Sequence, residues 1–124
     1  MKLMYLCISS SYKKLGQFNR PSIYECTRKY WNLRSLKKAL EADYVVAVGD
    51  RIIRGVFKKT TNWQLVRNFP ELHQDAEVLD NPDYLERFAF IGEEVSDLEI
   101  LAAIQKDYRE HPFRYYGGIE HYNF

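Results

Sequence analysis

Cysteine is scarce in this chain of 124 residues, with Cys7 and Cys26 its only two. Two thiols cannot build the disulfide framework on which small secreted domains depend. They suit a reducing compartment, so a cytoplasmic location is expected. Proline and glycine are also few, at four and six, and no repeat or low-complexity tract appears, so fibrous and disordered classes are set aside. Long apolar runs are missing. Residues 1–8 are too short to cross a bilayer and lead directly into Ser9-Ser10-Ser11, so no membrane association is expected. Gly-rich phosphate loops, paired-His zinc helices and Gly-x-Ser-x-Gly elbows are absent, which removes the commonest enzyme signatures. His73, His111 and His121 fall in expected loops. A ligand set drawn from His73, Asp75 and His121 lacks metal-site spacing, so no metal, cofactor or catalytic residue is expected.

What is present reads as one domain over residues 1–124, long enough to bury about two-thirds of its unfolded surface. The 46% hydrophobic and 28% charged content are those of an ordinary soluble globular protein, and aromatics are high at 15%. The net charge of +1 hides a strong asymmetry: residues 1–67 hold 14 basic and 4 acidic side chains, and residues 68–124 hold 4 and 13. Two arrangements satisfy this. A basic face can serve a polyanion, or the two halves can interleave and neutralise each other.

The run Leu3-Met4-Tyr5-Leu6-Cys7-Ile8 predicts a buried strand. Ser22 with Glu25 has the capping-box spacing. It predicts a short helix whose Tyr24, Thr27, Arg28 and Trp31 share one face. A second helix follows with Leu33, Leu36 and Leu40 on its apolar stripe. Residues 44–48 and 52–57 predict an antiparallel hairpin turning at Gly49-Asp50. Residues 60–68 read as short and polar, interrupted by Trp63. Residues 70–83 are acidic and carry Asn81-Pro82, which predicts an exposed excursion with a single helical turn. Residues 88–92 predict another strand. Ser96 and Glu99 predict a second capping box, opening a helix with Leu98, Leu101, Ala102, Ile104 and Tyr108 toward the core. Such an order predicts an α/β (α+β) domain with mainly antiparallel strands and flanking helices.

The constellation that points to chemistry is aromatic plus basic. Trp and Tyr faces stack on nucleobases, and arginine adds a planar surface with a forked donor for phosphate. Thr27, Arg28, Trp31, Trp63, Arg114 and Tyr115 are therefore the candidate ligand-binding residues. Lys13, Lys14, Arg20, Lys29, Lys37 and Lys38 are candidates for a nucleic-acid surface. The competing assignment puts Trp31 and Trp63 in the core and pairs Arg28 with an acidic side chain.

The succession Cys7-Ile8-x-x-Ser11-Tyr12, Tyr24-x-x-Thr27-Arg28-x-x-Trp31-x-Leu33, residues 42–48, Ile52-Ile53-Arg54-Gly55-Val56-Phe57, Trp63, residues 87–92 and Pro112-Phe113-Arg114-Tyr115 resembles a family of small uncharacterised bacterial and phage proteins. These are similar to the PUA-like group, whose small barrels bind RNA or read modified DNA bases. The resemblance implies a compact PUA-like half-barrel. The acidic stretch 71–86 departs from a simple nucleic-acid groove. The expected function is a non-catalytic binding domain whose partner is a nucleotide, or a flipped or modified base in nucleic acid. The alternatives are a phage-type protein that sequesters a small signalling nucleotide, or a protein-interaction module, and a homo-oligomer is compatible with any of them.

Overall fold

The computed structural model describes residues 1–13, 21–111 and 120–124. Five strands form one sheet in the order β4-β3-β2-β1-β5. They are β1 (Leu3–Cys7), β2 (Tyr44–Gly49), β3 (Ile52–Leu65), β4 (Phe88–Glu94) and β5 (Glu120–Tyr122). β1 and β2 run parallel with Leu3 opposite Tyr44, and every other pair is antiparallel. All five residues of β1 are buried, as an unbroken apolar run requires when helices cover both faces of a strand.

The short helices α1 (Ser9–Tyr12), α2 (Ile23–Arg28) and α3 (Leu36–Glu41) lie between β1 and β2 in the chain. Cys26 of α2 and Ala39 of α3 share one core with Met4, Leu6, Val45, Ala47, Phe57, Trp63 and Phe90. Ser22 caps α2 as the capping spacing predicts, its Oγ accepting from Glu25 N at 3.2 Å. Ser35 does the same for α3 through Lys38 N. The apolar stripe expected of α3 is not the buried one. Ala39 is fully buried, whereas Leu36 and Leu40 are 38% and 42% exposed, because a helix of six residues can seat only one position deeply against the sheet.

The opposite face is covered by α5 (Leu98–Glu110), which places Ile104 and Tyr108 against Leu3, Tyr5, Val46, Val48 and Val56. Burying a side chain the size of Ile104 stabilises the fold by about 1.5–3 kcal/mol. Ile100, Ile104 and Tyr108 are spaced by four and make the contact stripe. Leu98 and Ala102 lie off it and are exposed, which corrects the expected stripe. The cap of α5 is Asp97 rather than Ser96, its carboxylate accepting from Glu99 N and Ile100 N.

The hairpin of β2 and β3 forms as predicted, with its turn one residue later. Gly49 pairs with Ile52, and Asp50 and Arg51 form the turn with φ of 51° and 66°. β3 continues through the polar stretch to Leu65, first alongside β2 and then alongside β4, with register shifts between Lys59 and Gln64. Such irregularities increase local twist and let one long strand serve two neighbours.

Residues 66–86 are the largest departure from expectation. They hold 3-10 turns at Val66–Asn68, Pro70–Leu72 and Pro82–Glu86 and the helix α4 (Ala76–Asp80). Rather than standing off in solvent, they build a small core of Val66, Phe69, Leu72 and Val78 against Tyr30 and Ala89. Four apolar residues scattered through an acidic segment are enough to fold it onto the end of the sheet. No helix among the described residues is long and apolar enough to cross a membrane.

Candidate functional site

The most charged part of the interior lies where α2 meets β4 and the 66–86 segment. α2 stops at Arg28, Lys29 takes an extended backbone, and Tyr30 enters the left-handed region with φ of 70°. That break sends consecutive side chains in different directions. Arg28 Nε donates to the carbonyl of Phe90 at 2.9 Å. Its Nη1 lies 3.6 Å from Glu25 Oε1 and its Nη2 3.5 Å from Glu71 Oε1. The guanidinium carbon sits 5.5 Å from the ring centre of Tyr24 and 6.0 Å from that of Phe69. Lys29 Nζ lies 2.8 Å from both Glu25 Oε2 and Asp75 Oδ2. The hydroxyl of Tyr30 donates to the same Asp75 oxygen.

Opposite charges from the two halves of the chain therefore meet here and elsewhere. Arg28 faces Glu71, Lys29 faces Asp75, Arg67 faces Glu86 and Arg34 faces Glu120. Much of the sequence asymmetry is spent on internal neutralisation. Lys29, expected on a nucleic-acid surface, is 2% exposed. That expectation is corrected, because Glu25 one turn earlier and Asp75 on the acidic segment draw its ammonium inward. Lys13, Lys37 and Lys38 are exposed, and Lys38 Nζ donates to the carbonyl of Phe124. Lys14, Arg20, Arg114 and Tyr115 lie outside the described residues.

The other candidate ligand-binding residues sit inside. Thr27 is fully buried, its hydroxyl donating to Ile23 O at 2.7 Å. Trp31 is not on the helix face expected of it, since α2 has already ended. Its Nε1 nevertheless reaches back to Thr27 O at 2.7 Å, and its backbone pairs with Phe88. Trp63 is 3% exposed and packs edge-on against Phe90, with ring centres 4.7 Å apart. Among the described members of the predicted group, only Arg28 combines a ligand-type side chain with an exposed anionic neighbour. His73, Asp75 and His121 do not come together as a metal cluster among the described residues. Cys7 and Cys26 are both buried.

Sequence reasoning missed Glu71 and Phe69, which complete the surroundings of Arg28. Nothing local marks them, since they arrive from a segment about forty residues away. Glu25 carried a usable signal, because a carboxylate three and four residues before Arg28 and Lys29 can reach both.

A second buried carboxylate was also missed. Glu120 is 1% exposed and accepts from Arg34 N at 2.9 and 2.8 Å, from Arg34 Nε at 3.3 Å and from the hydroxyl of Tyr122 at 3.2 Å. Burial and the neighbouring Glu120 push the Tyr122 hydroxyl well above the usual tyrosine range. Burial and the Arg34 charge lower the His121 imidazole. This cluster fastens β5 to the chain before α3, and its acceptors are occupied by the protein itself.

No family model, curated protein or solved structure matches the chain.

Proposed function

We propose that the chain is a non-catalytic binding domain that recognises a nucleotide, or a base displaced from a nucleic-acid strand. The observation that carries the reading is the setting of Arg28. Its guanidinium lies within 6.0 Å of two aromatic ring centres, and its buried Nη2 makes no hydrogen bond among the described residues. The carboxylate nearest that nitrogen belongs to Glu71, whose side chain is 51% exposed. An anionic, planar ligand satisfies the same requirements better. It stacks beside the rings and supplies oxygens at hydrogen-bond distance to the planar fork, once Glu71 swings into solvent. Trp63 stiffens the site from behind, because it packs on Phe90, whose carbonyl fixes Arg28 Nε. The PUA-like half-barrel belongs to the same proposal, supported by the long β3 with its register shifts.

Thermal melting with a panel of nucleotides and short single strands tests it. Arg28 also ties α2 to β4, so its replacement costs stability by itself, about 1–3 kcal/mol for Arg28→Ala. The informative quantity is the ligand-induced rise in melting temperature, taken within each variant. Arg28→Lys abolishes that rise, and Glu71→Gln enlarges it by removing the internal competitor. A panel without any effective ligand, or an undiminished rise in Arg28→Lys, overturns the reading.

A further inference from the structure

Where the parallel strands β1 and β2 end, β3 carries one residue more than β2. Ala47 pairs with Gly55 and Val48 with Ile53, so Arg54 has no partner across the ladder. A one-residue bulge releases a side chain from strict alternation between the two faces and re-aims it. Arg54 lies over Tyr12, its guanidinium carbon 4.7 Å from the ring centre. Its Nε donates to Gly49 O at 3.1 Å. Gly49 leaves just enough room, since a Cβ there would stand 3.3 Å from Arg54 Cγ and 3.5 Å from Tyr12 Cγ.

These contacts orient the plane of the guanidinium and leave its two outer nitrogens uncommitted. Neither donates to an acceptor among the described residues, and no described carboxylate lies within ion-pair distance of Arg54. Arg28, Lys29, Arg34 and Arg67 each face one. A half-buried cation in this state has lost part of its hydration without gaining a counter-charge. The carboxyl ends of parallel strands are also where open sheets gather their ligands.

We propose that Arg54, held on Tyr12 and the Gly49 carbonyl, binds the phosphate group of a nucleotide or of a nucleic-acid strand. Two parallel donors in one plane match two phosphate oxygens, a geometry a lysine cannot offer. Because the stack fixes the fork beforehand, little side-chain freedom is lost on binding. The site uses none of the residues around Arg28 and stands whether or not that reading holds.

The test follows the Nε–H resonance of Arg54 by NMR during titration with inorganic phosphate, adenosine monophosphate and a short single strand. Saturable movement is expected with phosphate. Arg54→Lys weakens the binding, read at the Gly49 and Asp50 amides, by about tenfold or more. Tyr12→Leu, which keeps the guanidinium but removes its platform, weakens it to a lesser degree. The Gly49 and Asp50 amides report on this site and not on the surroundings of Arg28, which separates the failure of one site from that of the other. Equal affinity for the mononucleotide and the strand identifies a free nucleotide as the source of the phosphate. A tighter, strongly salt-dependent response to the strand identifies nucleic acid. No saturable movement with any probe, or unchanged affinity in Arg54→Lys, overturns the proposal.

Discussion

Lys29 Nζ meets Asp75 Oδ2 at 2.8 Å across 46 residues of chain, with the lysine side chain only 1% exposed. The contact ties the end of α2 to the 66–86 segment. Removing Asp75 takes one of two carboxylates from the buried ammonium, Glu25 Oε2 at 2.8 Å being the other, and takes away the acceptor of the Tyr30 hydroxyl. Asp75→Ala is therefore expected to cost about 1–3 kcal/mol in urea unfolding, the range for losing charge-assisted bonds to a buried group that keeps another partner. A loss below about 1 kcal/mol in this variant, the range of an exposed ion pair, contradicts this account.

The hairpin turn stores strain at Arg51, a non-glycine residue with φ of 66°. Glycine enters that region without steric cost and suits the second turn position of a two-residue hairpin. The Arg51 carbonyl accepts from Tyr108 Oη at 3.3 Å, a contact that does not need the side chain. Arg51→Gly is expected to raise the unfolding free energy by about 0.5–1 kcal/mol, the relief of left-handed strain outweighing the added freedom of the unfolded chain. A destabilised variant in denaturant melts refutes it.

Gly92 tolerates no side chain. A Cβ there would lie 2.5 Å from the backbone oxygen of Lys58 and 3.0 Å from the Phe90 ring. The first obstacle is backbone in a paired strand, which cannot step aside as a flexible side chain would. Gly92→Ala is expected to destabilise by about 1–3 kcal/mol, and amide exchange should show the loss along the β3–β4 pairing. Wild-type stability would mean that the strands separate here at no cost.

Lys59 is half-buried, and desolvation lowers its ammonium from 10.5 to about 8. Its Nζ donates to Ala39 O, Leu40 O and Asn62 Oδ1, so it caps the end of α3. Because the folded value lies below the unfolded one, the unfolded chain holds more protons between about pH 8 and 10.5. The contribution of Lys59 therefore disfavours the fold below that window and fades as pH rises through it. Unfolding free energies of wild type and Lys59→Met, compared across the window, should differ by a rising increment in the wild type. Parallel curves would show that Lys59 titrates like an exposed lysine.

The strands were the most legible part of the chain. The apolar runs of β1 and β2 and the short return strand after the turn are dictated by neighbours one or two residues apart, and they pair as those runs require. The helices were legible at their caps, Ser22 above all, and less so at their faces. Leu36, Leu40 and Leu98 read as core and remain exposed, because burial depends on where a short helix lands on the sheet. Around Arg28 only the residues of α2 could be found in advance.

By itself, then, the sequence determined the mixed α+β class, the central strand, the hairpin and the opposition of a basic front half to an acidic back half. These depend on local periodicity and composition, which act along the chain without reference to distant partners. The tertiary structure alone decided which charges meet. It folded the acidic segment into a small core instead of an exposed excursion, buried Lys29 between Glu25 and Asp75, and left Arg54 on Tyr12 with no carboxylate among the described residues. A charge's partner is set by its position in space, and a few ångströms separate a neutralised cation from one still able to take an anion.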